Sequence, residues 1–256
     1  MAEMDSDKSY SAPALEKGLD ILEDLAEMSG PISVRDLADR LGRSKNEIFR
    51  MIHVLIARGY IERDSDTDEL TLTNKLFALG LRTPQSRSLM TIAMPEAEKL
   101  AAEVRQTAHI VTIHKGRTVT LGHSASNPEI TFNMNTGYGR LASDATTGRV
   151  IMAFQPERRL QQIFADCDKE NGKPIEREPV ERALETIRID GHLLRKSTDW
   201  SGITDVCCPI LERDGNAVAC IIVTVIDHVA GPQDHNLILH AIKQTCRKIE
   251  RTLFRS

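Results

Sequence analysis

Three observations predict an α+β chain in two parts. Three short helical patterns crowd into about fifty residues near the start and are followed by a two-stranded ribbon. The hydrophobic period then changes from helical to two after Ala108. Finally, Asp214-Gly215 lies between two long β-type runs in a second half whose strands and helices mix without βαβ regularity, which predicts an antiparallel sheet.

Leu15, Leu19, Leu22 and Leu25 or Ala26 recur at helical spacing after Pro13, and Ser29-Gly30-Pro31 stops that first helix. Ser33-Val34-Arg35-Asp36 has the form of a capping box, opening a short helix marked by Val34, Leu37 and Leu41 that ends near Gly42. Ser44-Lys45-Asn46-Glu47 repeats the form and opens a third helix, with Ile48, Met51 or Ile52, and Leu55 on one face up to Gly59. Tyr60 to Arg63 and Leu70 to Thr73, separated by an Asp-rich tip, read as a hairpin ribbon. Helix, helix, turn, helix, ribbon describes a winged helix-turn-helix over residues 10–80. Thr83-Pro84-Gln85-Ser86 reads as a joint, and a linker helix from about Arg87 to Gln106 carries Pro95, which should kink it or begin a second helix.

In the second part, residues 108–256, strands are expected at His109 to Ile113, Val119 to Gly122 and Ile130 to Met134. Helices follow at Ala145 to Phe154, Glu157 to Phe164 and Val180 to Asp190. Strands Asp205 to Leu211 and Val218 to Ile226 flank the Asp214-Gly215 turn, and a last helix runs from about Gln233 to Leu253. With a two-residue turn, Arg213 faces Asn216 and Asp205 falls opposite Thr224. Asp205, Cys207, Cys220, Ile222 and Thr224 then share one sheet face.

Composition bounds the function. The 256 residues are 41% hydrophobic, which excludes a disordered chain, and 33 basic against 37 acidic residues give a net charge of −4, without a global basic field. Five scattered Cys with no C-x-x-C pair argue against a secreted disulfide framework and fit a reducing compartment. No apolar segment approaches a membrane span, so the reading is a cytoplasmic protein with no membrane partner.

Charge is segregated locally. Residues 40–63 hold six basic against two acidic residues, whereas residues 10–80 hold nine against thirteen. The basicity surrounds the third helix, whose outer face should carry Asn46, Phe49, Arg50 and His53, with Ser44 and Lys45 at its tip. Arg can bond guanine bidentately, Asn can do the same to adenine, and an aromatic ring can pack on a thymine methyl. Arg43, Lys45 and Arg40 are candidates for neutralising phosphates. Glu47 needs only its capping role. The acids Asp64, Asp66, Asp68 and Glu69 put direct contact between ribbon tip and phosphate in doubt.

These segments resemble the isocitrate-lyase regulator (IclR) family of bacterial transcription factors. Ala14 to Leu22 is similar to its first-helix signature, and Lys45 to Arg50 followed by Arg58-Gly59-Tyr60 is similar to its recognition helix and wing entry. Gly139-Arg140-Leu141 through Thr147-Gly148-Arg149, Gly191, Gly202 and Cys208-Pro209-Ile210 resemble landmarks of its effector domain. The resemblance implies a GAF-like second domain that binds a small metabolite, and a dimer or tetramer on a pseudo-palindromic double-stranded DNA operator. It also implies effector contacts at Leu141, Thr146, Thr147, Arg195, Ile203, Asp205, Ile222 and Thr224. This chain departs from the family at the acidic wing, at Thr146 and Thr147, which carry hydroxyls where small residues are usual, and at Arg195, where an acid is common. An Arg there could clamp a carboxylate, with Asp205 and Thr224 bonding a more distal hydroxyl or carbonyl, which points to a small organic acid. Against that, Arg195 beside Lys196 could be a solvated loop cation, and Trp200, the single Trp, could lid the pocket or simply be an ordinary aromatic.

Rival readings are weaker. Gly137-Tyr138-Gly139-Arg140-Leu141-Ala142 fits a loose G-x-G-x-x-A, but the preceding strand is polar and no acid follows at the required distance, which disfavours an NAD enzyme. His109, His114 and His123 with Cys207, Cys220 or Cys246 lack recognised zinc spacing. No G-x-S-x-G elbow is present. The expectation is therefore an effector-modulated transcription regulator without catalytic residues, metal or cofactor. A metabolite- or metal-sensing protein that does not read DNA stands as the alternative.

Overall fold

The computed structural model describes residues 12–28, 30–80, 84–125, 131–197, 200–226 and 233–254. The chain divides into two compact units, Met1–Ser86 and Arg87–Ser256.

In the first unit, α1 (Pro13–Ala26) begins at a proline whose missing N–H is no loss at a helix start. Its buried face differs from the leucine stripe expected from spacing: Ile21 and Leu25 enter the core, while Leu15 and Leu19 stand 62% and 47% exposed. Two apolar stripes share this helix, and spacing alone does not say which one meets α3. Ser33 caps α2 (Val34–Arg40) by accepting the Asp36 N–H at 3.2 Å. The turn passes through Gly42 at φ +60 into α3 (Lys45–Ala57), where Ile48 and Ile52 are fully buried. β1 (Ile61–Arg63) and β2 (Leu70–Leu72) pair antiparallel, and Ile32 bridges Leu70 through reciprocal backbone bonds of 3.1 and 2.8 Å. The ribbon is thus tied to the segment before α2. A short α4 (Lys75–Gly80), which the sequence pattern did not suggest, follows.

The second unit contains a five-stranded antiparallel sheet in the order β4-β3-β7-β6-β5. Its strands are β3 (Thr107–His114), β4 (Arg117–Ser124), β5 (Leu193–Lys196), β6 (Ile203–Leu211) and β7 (Ala217–Ile226). α5 (Pro84–Val104) continues through Pro95 as one helix, so that proline begins no second one. α5 and α9 (His235–Leu253) cover one sheet face, burying Ala97, Leu100, Ile242 and Ile249 against Ile110, Cys208, Ile221 and Val223. α6 (Thr146–Ala153), α7 (Glu157–Asn171) and α8 (Arg177–Asp190) form the core on the other face with Val111, Cys207, Cys220 and Ile222. Because both faces are covered, β6 and β7 read as nearly unbroken apolar runs rather than alternating ones.

The β6–β7 register matches expectation along most of its length, with Asp205 opposite Thr224. The turn differs. Glu212 donates its N–H to the Asn216 carbonyl at 2.8 Å around a three-residue loop, and a bulge after Ile210 compensates, so Arg213 does not face Asn216. β5 was missed, since Leu193-Leu194-Arg195-Lys196 is too short and mixed to show a period; it places Arg195 directly opposite Asp205.

The strand expected at Ile130 to Met134 is not formed: residue 130 lies outside the described residues and 131–134 are irregular. Residues 137–142 line the β4 edge instead, with Thr118 and Thr120 donating N–H groups to the carbonyls of Arg140 and Tyr138 at 2.8 and 2.9 Å. A Cβ at Gly139 would lie 1.8 Å from the Thr118 carbonyl oxygen, which explains that glycine as close strand packing rather than a pyrophosphate loop. Gly148 is needed likewise, because a Cβ there would lie 2.1 Å from the Ala142 carbonyl oxygen. No described helix is long and apolar enough to cross a membrane.

Candidate functional site

Each unit presents one candidate site. On α3, burial of Ile48 and Ile52 turns Asn46, Phe49, Arg50 and His53 outward, and all four are exposed together with Ser44 and Lys45. The helix start is held by a charged cap. Glu47 accepts the Ser44 N–H at 2.9 Å and its hydroxyl at 2.8 Å, with Lys17 Nζ at 3.3 Å, and these bonds bring the Glu47 carboxyl down to about 2. Phe49 and His53 meet edge to face, with ring centroids 4.6 Å apart.

Two of the three candidate phosphate cations are paired within the fold. Arg43 Nη2 donates to Asp20 Oδ2 at 2.7 Å, and Arg40 forks onto both Asp24 oxygens at 2.8 and 2.9 Å. Both guanidiniums thus brace the turn against α1. Lys45 and Arg50 form no ion pair among the described residues, so the outward cationic character of the helix rests on them. At the ribbon tip Asp64 accepts the N–H groups of Thr67 and Asp66 at 2.8 and 2.9 Å, which lowers its pKa, and Arg63 pairs with Asp68 at 3.1 Å. The ribbon's arginine is engaged by its own tip, leaving a surface that repels phosphate.

In the second unit a cavity of about 380 Å³ lies on the sheet face shared by Val111, Ile222, Thr224 and Asp205. Thr146, Thr147, Ile203, Asp205, Ile222 and Thr224 line it; Leu141 and Arg195 do not. Leu141 bridges Arg117 at the sheet edge and packs into the core. Arg195 stands behind the cavity wall, where its Nη2 donates to Thr146 Oγ1 at 3.0 Å, and that hydroxyl donates to Asp205 Oδ2 at 2.9 Å. Among the described lining residues the cationic one is Arg140, whose backbone N–H donates to Thr118 Oγ1 at 2.9 Å. Sequence reasoning missed Arg140 because residues 137–142 read as a loop with no period to orient it.

Phe132, Asn133, Met134, Asn135, Tyr138 and Trp200 complete one wall, with Phe132 and Trp200 edge to face at 5.9 Å. The His109 side chain ties that wall to the sheet. The fully buried His109 accepts the Met134 N–H on Nε2 at 3.0 Å, and burial, aided by His123 5.8 Å away, drives its pKa down to about 4. His109 is therefore neutral, with its proton on Nδ1. Arg149 is also lowered, by burial and then by Arg195, and its Nε donates to the Ser143 carbonyl at 2.6 Å.

The five cysteines are buried; burial pushes the thiols of Cys167, Cys207, Cys208 and Cys246 up, which disfavours a thiolate nucleophile. Among the described residues no three His, Cys, Asp or Glu side chains are grouped to hold a metal.

Two family models match the chain. Residues 14–65 match the family model of the IclR helix-turn-helix domain, and residues 82–251 that of the bacterial transcriptional regulator IclR C-terminal domain. The chain is 26% identical over 213 residues to a probable HTH-type transcriptional regulator, ArcR, of Halobacterium salinarum, covering 80% of each chain. It is 22% identical over 223 residues to the HTH-type transcriptional regulator KdgR of Escherichia coli, covering 86% of this chain and 84% of that one. Among solved structures, Thermotoga maritima IclR has a TM-score of 0.69 at 20% identity, covering 93% of this chain and 98% of that one. An IclR homolog from Microbacterium hydrocarbonoxydans, complexed with 4-hydroxybenzoate, has a TM-score of 0.77 at 17% identity, covering 94% and 98%.

Proposed function

Since the chain belongs to the IclR family of bacterial transcription regulators, we propose that it binds an operator through α3 and adjusts its occupancy in response to a small organic acid held in the cavity of the second unit. Residues 10–80 act on DNA, 81–107 transmit, and 108–256 sense. Asn46 and Arg50 read base edges, Phe49 and His53 extend the contact, and Ser44 and Lys45 meet the backbone, while Arg43 orders the turn. The observation that carries this reading is the outward set Asn46, Phe49, Arg50 and His53, gathered on the face opposite Ile48 and Ile52 beside the cations Lys45 and Arg50.

The effector reading is supported by a cavity with Arg140, Asp205 and several threonine hydroxyls around an apolar middle, and by the 4-hydroxybenzoate complex of the Microbacterium relative. Thr146, Thr147, Ile203, Asp205, Ile222 and Thr224 contact the effector, Arg140 takes its carboxylate, and Arg195 orients Thr146 from behind. The effector binds one arrangement of the DNA-binding units more tightly than another and so shifts the population on the operator. Two recognition helices related by a dyad in a homo-oligomer meet a pseudo-palindromic site in the cytoplasm.

Fluorescence anisotropy with duplex DNA from upstream of the protein's own gene, against nonspecific competitor, tests the reading. Selective, salt-sensitive binding weakened by Arg50→Ala is the expected result. Absence of any preferred sequence, including in a random pool, overturns it in favour of a sensor without DNA recognition.

A further inference from the structure

We propose that Phe49, braced edge-on by His53, recognises the C5-methyl group of a thymine in the major groove. The inference rests on the DNA-reading function above and adds a base feature to it. Phe49 is a large aromatic side chain left 47% exposed on a helix whose core is already complete through Ile48 and Ile52. Its neighbours on that face are Asn46 and Arg50, with Lys45 at the helix tip, so the surface that covers the ring must also satisfy cations and an amide. An apolar protein patch would not do so. The major groove does, because the thymine methyl is an apolar group lying among hydrogen-bonding base edges and flanking phosphates.

The geometry supplies the register. Residues 46 to 53 span about 10 Å of helix at about 1.5 Å per residue, the length of about three base pairs. Asn46 stands at one end, Phe49 and Arg50 near the middle, and His53 at the other. The 4.6 Å edge-to-face contact with His53 restrains the Phe49 ring before DNA arrives, so less side-chain freedom is lost on binding.

A duplex selected from a random pool on the full chain is altered one thymine at a time to deoxyuridine, which keeps the pairing edge and lacks only the methyl. Wild type is expected to lose about fourfold in affinity, the equivalent of one buried methylene, at a thymine within about three base pairs of the guanine whose recognition Arg50→Ala removes. Phe49→Ala, checked for folding by circular dichroism, should bind the thymine and uracil duplexes equally, and Phe49→Leu should retain part of the difference. Wild-type indifference to uracil at every position, with the site still preferred, overturns the methyl contact and leaves DNA reading intact. So does a Phe49→Ala variant as sensitive as wild type, or self-association in solution that Phe49→Ala abolishes. Failure to select any preferred duplex overturns DNA reading itself, and the methyl contact with it.

Discussion

Arg43 is bound to Asp20 at 2.7 Å, so the guanidinium in the turn just before α3 is held by an acid of α1. The pair ties the turn to α1, and Arg40 with Asp24 repeats the arrangement one turn earlier in α2. Asp20→Asn should release Arg43 toward the DNA backbone. The expected outcome is tighter binding at low salt and a slope of log affinity against log salt steeper by about 1, measured by anisotropy across a salt series. An unchanged slope would place Arg43 out of reach of the duplex.

Glu47 links the recognition helix to pH. Its carboxyl, ordinarily at 4.5, lies at about 2 in the folded chain because the Ser44 N–H and hydroxyl and Lys17 stabilise the charged form. A depressed folded value means that the stabilisation is present above the unfolded pKa and is lost as pH falls from about 4.5 toward 2. Thermal melts of wild type and Glu47→Gln should therefore differ at neutral pH and converge at acid pH. Parallel curves would remove the cap from the pH response.

His109 has the opposite chemistry and the same sign. Its pKa is about 4 when buried against 6.5 unfolded, so the unfolded chain binds the extra proton between these values, and stability falls as pH drops from 6.5 to 4. The loss approaches about 3 kcal/mol at most. His109→Gln should flatten urea-melt stability over that window, because the replacement has no group that titrates there.

Thr146 joins Arg195 to Asp205 by one accepted and one donated bond. Thr146→Val keeps the shape and removes both, withdrawing a hydroxyl from a carboxylate only 9% exposed. A loss of about 1–3 kcal/mol in chemical denaturation is expected, together with weaker binding of any effector that meets Asp205. A change below about 0.5 kcal/mol would mean that the other surroundings of Asp205 suffice.

How much was legible depended on whether a signal was local. The caps at Ser33 and Ser44 and the ribbon are each written in a few residues whose backbone needs declare themselves, whereas the Asp205–Thr224 register agrees with a two-residue turn only because the bulge after Ile210 offsets a three-residue loop. Leu15 and Leu19 had the right period and the wrong side, because a helix with two apolar stripes leaves the choice to its packing partner. β5 and α4 are too short to show a period. The irregular stretch at 131–134 carries alternation without a strand, since its Met134 N–H is taken by the His109 side chain instead of a neighbouring backbone.

By itself, then, the sequence determined the winged helix-turn-helix order, the outward set on α3, the mixed second domain and, through the strand register, Asp205, Ile222 and Thr224 on the cavity's sheet face, to which the family resemblance added Thr146, Thr147 and Ile203. Only the tertiary structure decided where the charges are placed. Arg40, Arg43 and Arg195 are cations in the sequence like any others, but Asp24, Asp20 and Thr146 occupy them, while Arg140 reaches the cavity lining through backbone pairing along β4. Hydrogen bonding between residues distant in the chain is set by how the elements pack, and periodicity along one segment carries no record of it.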